Sequence, residues 1–249
     1  MKELAGKKEI IRQLREKIFT LEGFSTRADV RQSDFALGPV NNSFPGGTFP
    51  VGAIHEFVSP TEASFAAANG FISGLLSTLL KKGGSCIWIS AGRKLFPPAL
   101  KFFGIEPHHV IFIDARKEKE ALWVTEQALK CSSFAAVVAE LRNVSFAESR
   151  RLQLAVGESR VTGFLHRHHP FINNTLACVS RWQIRPAVSW LPEGIPGVGF
   201  PRWEVELMKI RNGRPGKWQF EWRDGVFRHL PAQKQIISGS VTAKKERYA

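Results

Sequence analysis

The stretch Gly52-Ala53-Ile54-His55-Glu56-Phe57-Val58, followed by Ser59-Pro60-Thr61-Glu62-Ala63-Ser64-Phe65-Ala66, decides how this chain reads. It reads as a strand, a turn and the start of a helix. A phosphate-binding loop at such a junction has the form G-x-x-x-x-G-K-[ST]. Its glycines let backbone N–H groups wrap the phosphates, its lysine neutralises them and its hydroxyl binds Mg²⁺. Here Ser59 and Ser64 replace the glycines, Phe65 the lysine and Ala66 the hydroxyl residue. The stretch reads as a nucleotide site with its chemistry deleted, Phe65 standing as an aromatic plug in the phosphate space.

The flanking sequence places that junction. Phe35-Ala36-Leu37-Gly38 and Phe44-Pro45-Gly46-Gly47-Thr48-Phe49-Pro50-Val51 resemble the segment leading into the P-loop of RecA-type recombinases. Lys82-Gly83-Gly84-Ser85-Cys86-Ile87-Trp88-Ile89-Ser90-Ala91-Gly92 resembles the second strand of that fold, with Gly92 where a catalytic glutamate would follow. Phe134-Ala135-Ala136-Val137-Val138-Ala139-Glu140 resembles the Walker B strand. Its metal-positioning aspartate matches Ala139, with Glu140 one place later as a shifted substitute. The resemblance implies a RecA-like P-loop NTPase fold of the α/β class. That fold has a mostly parallel sheet, helices on both faces and an antiparallel C-terminal extension.

Within that superfamily the chain resembles the ImuA family of bacterial error-prone repair cassettes. The likeness rests on Phe44-Pro45-Gly46-Gly47, Glu120-Ala121-Leu122-Trp123-Val124-Thr125-Glu126-Gln127-Ala128-Leu129, Arg150-Arg151-Leu152-Gln153-Leu154-Ala155 and Gly163-Phe164-Leu165. A late block, Trp203-Glu204-Val205-Glu206-Leu207-Met208-Lys209-Ile210-Arg211-Asn212-Gly213-Arg214, extends it. The resemblance implies a non-catalytic adaptor in damage-induced translesion DNA synthesis (the SOS response), with no cofactor. It implies ImuB and an error-prone polymerase as partners, with RecA a further candidate. The alternative, of a different class, is a cell-division inhibitor resembling SulA that binds FtsZ. A third reading, an active recombinase-type ATPase, is opposed by Phe65, Ala66 and Gly92 together.

With 249 residues, 43% of them hydrophobic, the chain is long enough for one sizeable α/β domain with tails. No apolar run approaches the ~20 residues needed to span a membrane, and the charged N-terminus lacks an apolar signal core, so a cytoplasmic location is expected. Cys86, Cys131 and Cys178 are too few and too separated for a disulfide framework or a C-x-x-C metal site. A net charge of +13 favours polyanion partners through phosphate attraction.

Three regions are expected: a helix within 1–22, a core over 23–230 and a basic, disordered tail over 231–249. In the first, Leu4, Ile11, Leu14 and Ile18 form an apolar stripe suited to a partner or a second copy. In the core, apolar strands at 52–58, 85–90, 110–114, 134–140 and 161–166 alternate with helices at 63–80, 97–103, 117–130 and 145–158, the pattern of a parallel sheet. Alternating segments at 175–184, 201–211 and 217–222 suggest the antiparallel extension, the last two joined by a turn at Asn212-Gly213. Trp182, Trp203 and Trp218 are expected in the core. Trp190, in the Pro-rich loop between Pro186 and Pro201, is a candidate partner contact.

His166-Arg167-His168-His169-Pro170-Phe171 follows the fifth strand. A zinc site needs donors converging tetrahedrally, with Cys or carboxylate help from elsewhere. No such help is evident nearby, and consecutive residues of an extended loop point apart, so no metal is expected. The RecA resemblance places this segment at the second DNA-binding loop. There Arg167, His168 and His169 would contact phosphates and Phe171 would stack on a base.

Overall fold

Among the described residues, nine strands share one sheet in the order β3-β2-β4-β5-β1-β6-β7-β8-β9. The computed structural model describes residues 34–231 apart from 82, 93, 172–173, 192–193 and 195. The candidate helix with Leu4, Ile11, Leu14 and Ile18, and the tail beyond Pro231, lie outside the described residues. The strands are β1 Ile54–Ser59, β2 Ser85–Ser90, β3 Val110–Asp114, β4 Phe134–Leu141 and β5 Thr162–His168. They continue as β6 Ser180–Trp190, β7 Phe200–Ile210, β8 Gly216–Arg223 and β9 Val226–Leu230. Three helices, α1 Glu62–Leu80, α2 Glu118–Lys130 and α3 Phe146–Ser159, cross between the parallel strands. β1 to β6 run parallel and β7 to β9 turn back on them as an antiparallel meander.

The strand period of two sorts each strand between two cores. Cys86 and Trp88, Ala136 and Val138, and Phe57 and Phe164 face α1. Ile87 and Ile89, Val137 and Ala139, and Ile54 and Leu165 face α2 and α3. Covered on both sides, the parallel strands need continuous apolar sequence. α2 and α3 cover one face and leave charges to solvent, whereas α1 is apolar nearly all round. By length and composition α1 could cross a membrane, contrary to the expectation that no run qualifies. Yet 72% of that window is buried, so α1 is the core helix of this fold.

The meander completes the burial of α1. Trp203, Phe220, Trp222 and Phe227 join its core, and Phe227 packs on Phe71 with centroids 4.8 Å apart. Gly74 lets this approach happen: a Cβ there would lie 2.4 Å from Phe227 Cζ and 2.9 Å from Trp222 Cζ3. Trp182 and Trp203 are buried as expected, and the half-buried Trp218 packs against the same core.

Three expectations need correction. Residues 97–103 form a 3-10 segment, opened by two prolines and closed by Gly104 at φ +75°, too short and too Pro-rich for an α-helix. The Pro-rich loop begins later than expected, because β6 runs on through Pro186 to Trp190. β1 pairs with β6 only as far as Trp182, so beyond it that side of β6 is open, and a strand with an open side tolerates proline. Trp190 ends the strand opposite Phe200, but its side chain lies outside the described residues. Finally, β9 was not expected; it pairs with β8 across a turn at Asp224 and Gly225, both with positive φ.

Candidate functional site at the strand ends

β2 leads outward to β3 while β4 leads back to β5, so the chain changes direction between β2 and β4. In open α/β sheets a ligand crevice forms at such a point, outside the carboxyl ends of the strands. Here a cleft of about 370 Å³ opens there, lined by Phe65, Ser90, Gly92, Lys94, Glu140 and Arg142 among others.

The turn between β1 and α1 is closed on itself. Thr61 and Ser64 form a capping box: Thr61 Oγ1 accepts from Ser64 N–H at 3.1 Å, and Ser64 Oγ accepts from Thr61 N–H at 3.0 Å. Phe65 N–H donates to the Thr61 carbonyl at 2.9 Å. The Thr61, Ser64 and Phe65 amides at this helix N-terminus are therefore spent on the protein's own oxygens. Beneath the turn, Ser59 Oγ donates to the Ser64 carbonyl at 3.2 Å and meets His166 Nε2 at 2.8 Å. Phe65, only 4% exposed, stacks on the His166 ring at 4.3 Å and leans on His168 at 4.5 Å.

Glu140, and not Ala139, reaches this side of the sheet, because successive strand residues point to opposite faces. Its carboxylate accepts from Trp88 Nε1 at 2.9 Å and from Ser90 Oγ at 2.7 Å. Burial holds its carboxyl above the usual range, against the pull of those two hydrogen bonds. Gly92 lies beside it, its N–H donating to Ser90 Oγ at 3.2 Å. The cations of the cleft are committed. Lys94 Nζ is 3.0 Å from Glu62 Oε1, and Arg142 Nε donates to the His169 carbonyl at 3.1 Å while its guanidinium lies 3.7 Å over the Phe171 ring.

The candidate residues are thus only partly together. Phe65, Gly92 and Glu140 line the cleft, while Ser59 and Ser64 shape the turn behind it. Ala139 faces α2 and α3. Ala66 is exposed and faces a separate groove beside Phe96, Phe103 and Trp203, so it does not belong to the cleft. Arg167 does not face outward either. It is 1% exposed, and its Nη1 donates to Glu56 Oε1 at 2.9 Å; Arg181 Nε donates to Glu56 Oε2 at 2.7 Å. This buried cluster occupies Arg167, so it is removed from the candidate DNA contacts. His168 and His169 sit at the cleft rim and Phe171 is 72% exposed. Glu62, Lys94, Glu118 and Arg142 escaped the sequence reading, since nothing in their local spacing marks them. The Thr61-x-x-Ser64 cap is a signal that could have been read.

Fold and cleft define an α/β protein with a crevice at the ends of its parallel strands, bordered by a turn that its own side chains cap. No family model matches the chain. It is 36% identical over 225 residues to protein ImuA of Caulobacter vibrioides, in strains NA1000 / CB15N and ATCC 19089 / CB 15, over 86% of this chain and 91% of that protein. A shorter stretch of 113 residues is 31% identical to the cell division inhibitor SulA of Edwardsiella piscicida, over 44% of this chain and 66% of that one. The chain belongs to the ImuA family.

Proposed function

We propose that this chain is a catalytically inert, RecA-like adaptor in damage-induced translesion DNA synthesis, acting in the cytoplasm with ImuB and an error-prone polymerase. Kinship with ImuA over most of both chains supports the pathway. The observation that carries the inert reading is the capped turn: Thr61 and Ser64 bind each other's amides, and the buried Phe65 stands where a lysine would. A RecA-like fold without nucleotide chemistry retains its surfaces for protein contact, and +13 of net charge keeps it near DNA.

Two measurements test this. Capture of ImuB by the full chain is expected, and no capture overturns the adaptor reading. Titration with a fluorescent ATP analogue and Mg²⁺ is expected to give no saturable signal, and micromolar binding would overturn the inert reading. Phe65→Lys is expected to leave ATPase activity absent, because the capped turn, Ala66 and Gly92 remain. The SulA likeness supports a second reading, FtsZ binding, but over less than half of this chain. Retention of FtsZ without ImuB would favour it.

A further inference from the structure

We propose that Glu62, His168 and His169 form a binding site for a divalent transition-metal ion of the zinc type, at the rim of the cleft. The expectation of no metal rested on two points: consecutive residues point apart, and no carboxylate is near in sequence. The fold overturns both premises. Glu62 arrives from the first turn of α1. His169 leaves the extended conformation, with φ +44°, a left-handed setting uncommon outside glycine. Its N–H is held by the Ser59 carbonyl at 2.9 Å. That turn breaks the strand alternation, so the His168 and His169 rings lie together with centroids 4.2 Å apart. Backbone settings of this kind persist where the surroundings over-determine them, often at ligand sites.

The donor atoms converge. One from each residue lies within 4.8 Å of the others. Glu62 Oε1 is 3.3 Å from His168 Nε2 and 3.8 Å from His169 Nε2. A tetrahedral zinc ion with bonds of about 2.0–2.1 Å sets its ligand atoms about 3.4 Å apart, so small side-chain adjustments complete the set. Two imidazoles, one carboxylate and an open fourth position form a donor set that zinc accepts. His168 Nε2 is shielded from solvent and makes no aligned hydrogen bond despite its proximity to Glu62.

Lys94 is the competitor. Its Nζ contacts Glu62 Oε1 at 3.0 Å and His168 Nδ1 at 3.1 Å. With Nδ1 accepting from the ammonium, the neutral ring carries its proton on Nε2. A metal at Nε2 requires that proton on Nδ1, exchanged through solvent, and this breaks the Lys94 contact. The Lys94 side chain is 40% exposed and can swing out. Metal and lysine are therefore alternative cations for one rim, and the metal would tie the start of α1 to the end of β5.

Titration of the metal-free full chain with Co²⁺ tests this, followed by displacement with Zn²⁺. One equivalent is expected to develop the visible ligand-field bands of a four-coordinate site and to lose them to zinc. His168→Ala and His169→Ala should each weaken binding by about tenfold or more, as loss of a ligand removes at least what loss of a ligand's support does. Lys94→Ala should tighten it. His108 and His109, also a neighbouring ring pair with centroids 4.3 Å apart but in no metal-compatible cluster among the described residues, serve as the control, and alanine at both should change nothing. Absent bands, or bands that survive loss of both His168 and His169, overturn the proposal. Neither ImuB capture nor nucleotide binding enters this result, so it stands or falls apart from the adaptor reading.

Discussion

Two histidines show how a residue's surroundings set its chemistry. His55 Nε2 donates to the Pro50 carbonyl (2.7 Å) and its Nδ1 meets Ser180 Oγ (2.6 Å), while His166 meets Ser59 Oγ and Asn69 Oδ1. Both rings are fully buried. Burial pushes His55 down to about 4 and His166 to about 3. An unfolded imidazole titrates near 6.5. Between these values the unfolded chain binds protons that the native state refuses. Their contribution to stability is therefore complete above pH ~6.5 and falls as pH drops towards 4. By pH 5 each histidine should cost about 2 kcal/mol. Glu140 acts in the opposite sense, since its raised carboxyl binds a proton more readily when folded. Urea midpoints at pH 7.5 and pH 5 check this, and an unchanged midpoint would show that both rings are protonated without unfolding. The buried Glu56 gives a second test. Glu56→Gln removes the buried carboxylate that Arg167 and Arg181 share and should destabilise by about 3–5 kcal/mol in the same assay.

At the scale of elements, α1 is decisive. Its apolar sequence made it legible as a helix, and its Thr61 cap fixes where it starts. Sequence did not indicate that the meander would wrap it, because contacts between Gly74 and the Phe227 and Trp222 rings join residues about 150 positions apart. Gly74→Ala should therefore destabilise by about 1–3 kcal/mol through overpacking, despite alanine's better helix propensity. A rise in thermal midpoint would mean that the aromatic rings move aside freely. The parallel strands β1 to β5 were legible within a residue or two, since burial on both faces demands unbroken apolar runs. β6 and β9 were misread because proline and a short five-residue run speak only weakly for strand, and pairing with β7 and β8 outweighed them.

For the molecule as a whole, charge is the property most open to test. At +13 the chain should bind DNA weakly, without sequence preference and with steep salt dependence. A gel shift at low salt and at ~0.2 M measures it, and affinity indifferent to salt would remove phosphate attraction as the source. Charge alone does not place the contact: Arg167, the most suggestive cation of its segment, is spent inside on Glu56. Exposed Phe171, under the Arg142 guanidinium, remains at the surface, and Phe171→Ala should reduce any base-stacking component by about 1–3 kcal/mol.

Apolar periodicity was enough to assign the α/β class and the parallel strands β1 to β5, and the resemblance carried by motifs such as Phe44-Pro45-Gly46-Gly47 was enough for the family, because each depends on local patterns along the chain. The tertiary structure decided which of those residues share a surface. It put Glu140 in the cleft and Ala139 behind it, turned Ala66 towards another groove, buried Arg167 and gathered Glu62, Lys94, His168 and His169 at one rim. Such neighbours come from different strands and a helix start, and only the order in which strands pair brings them within a few ångströms.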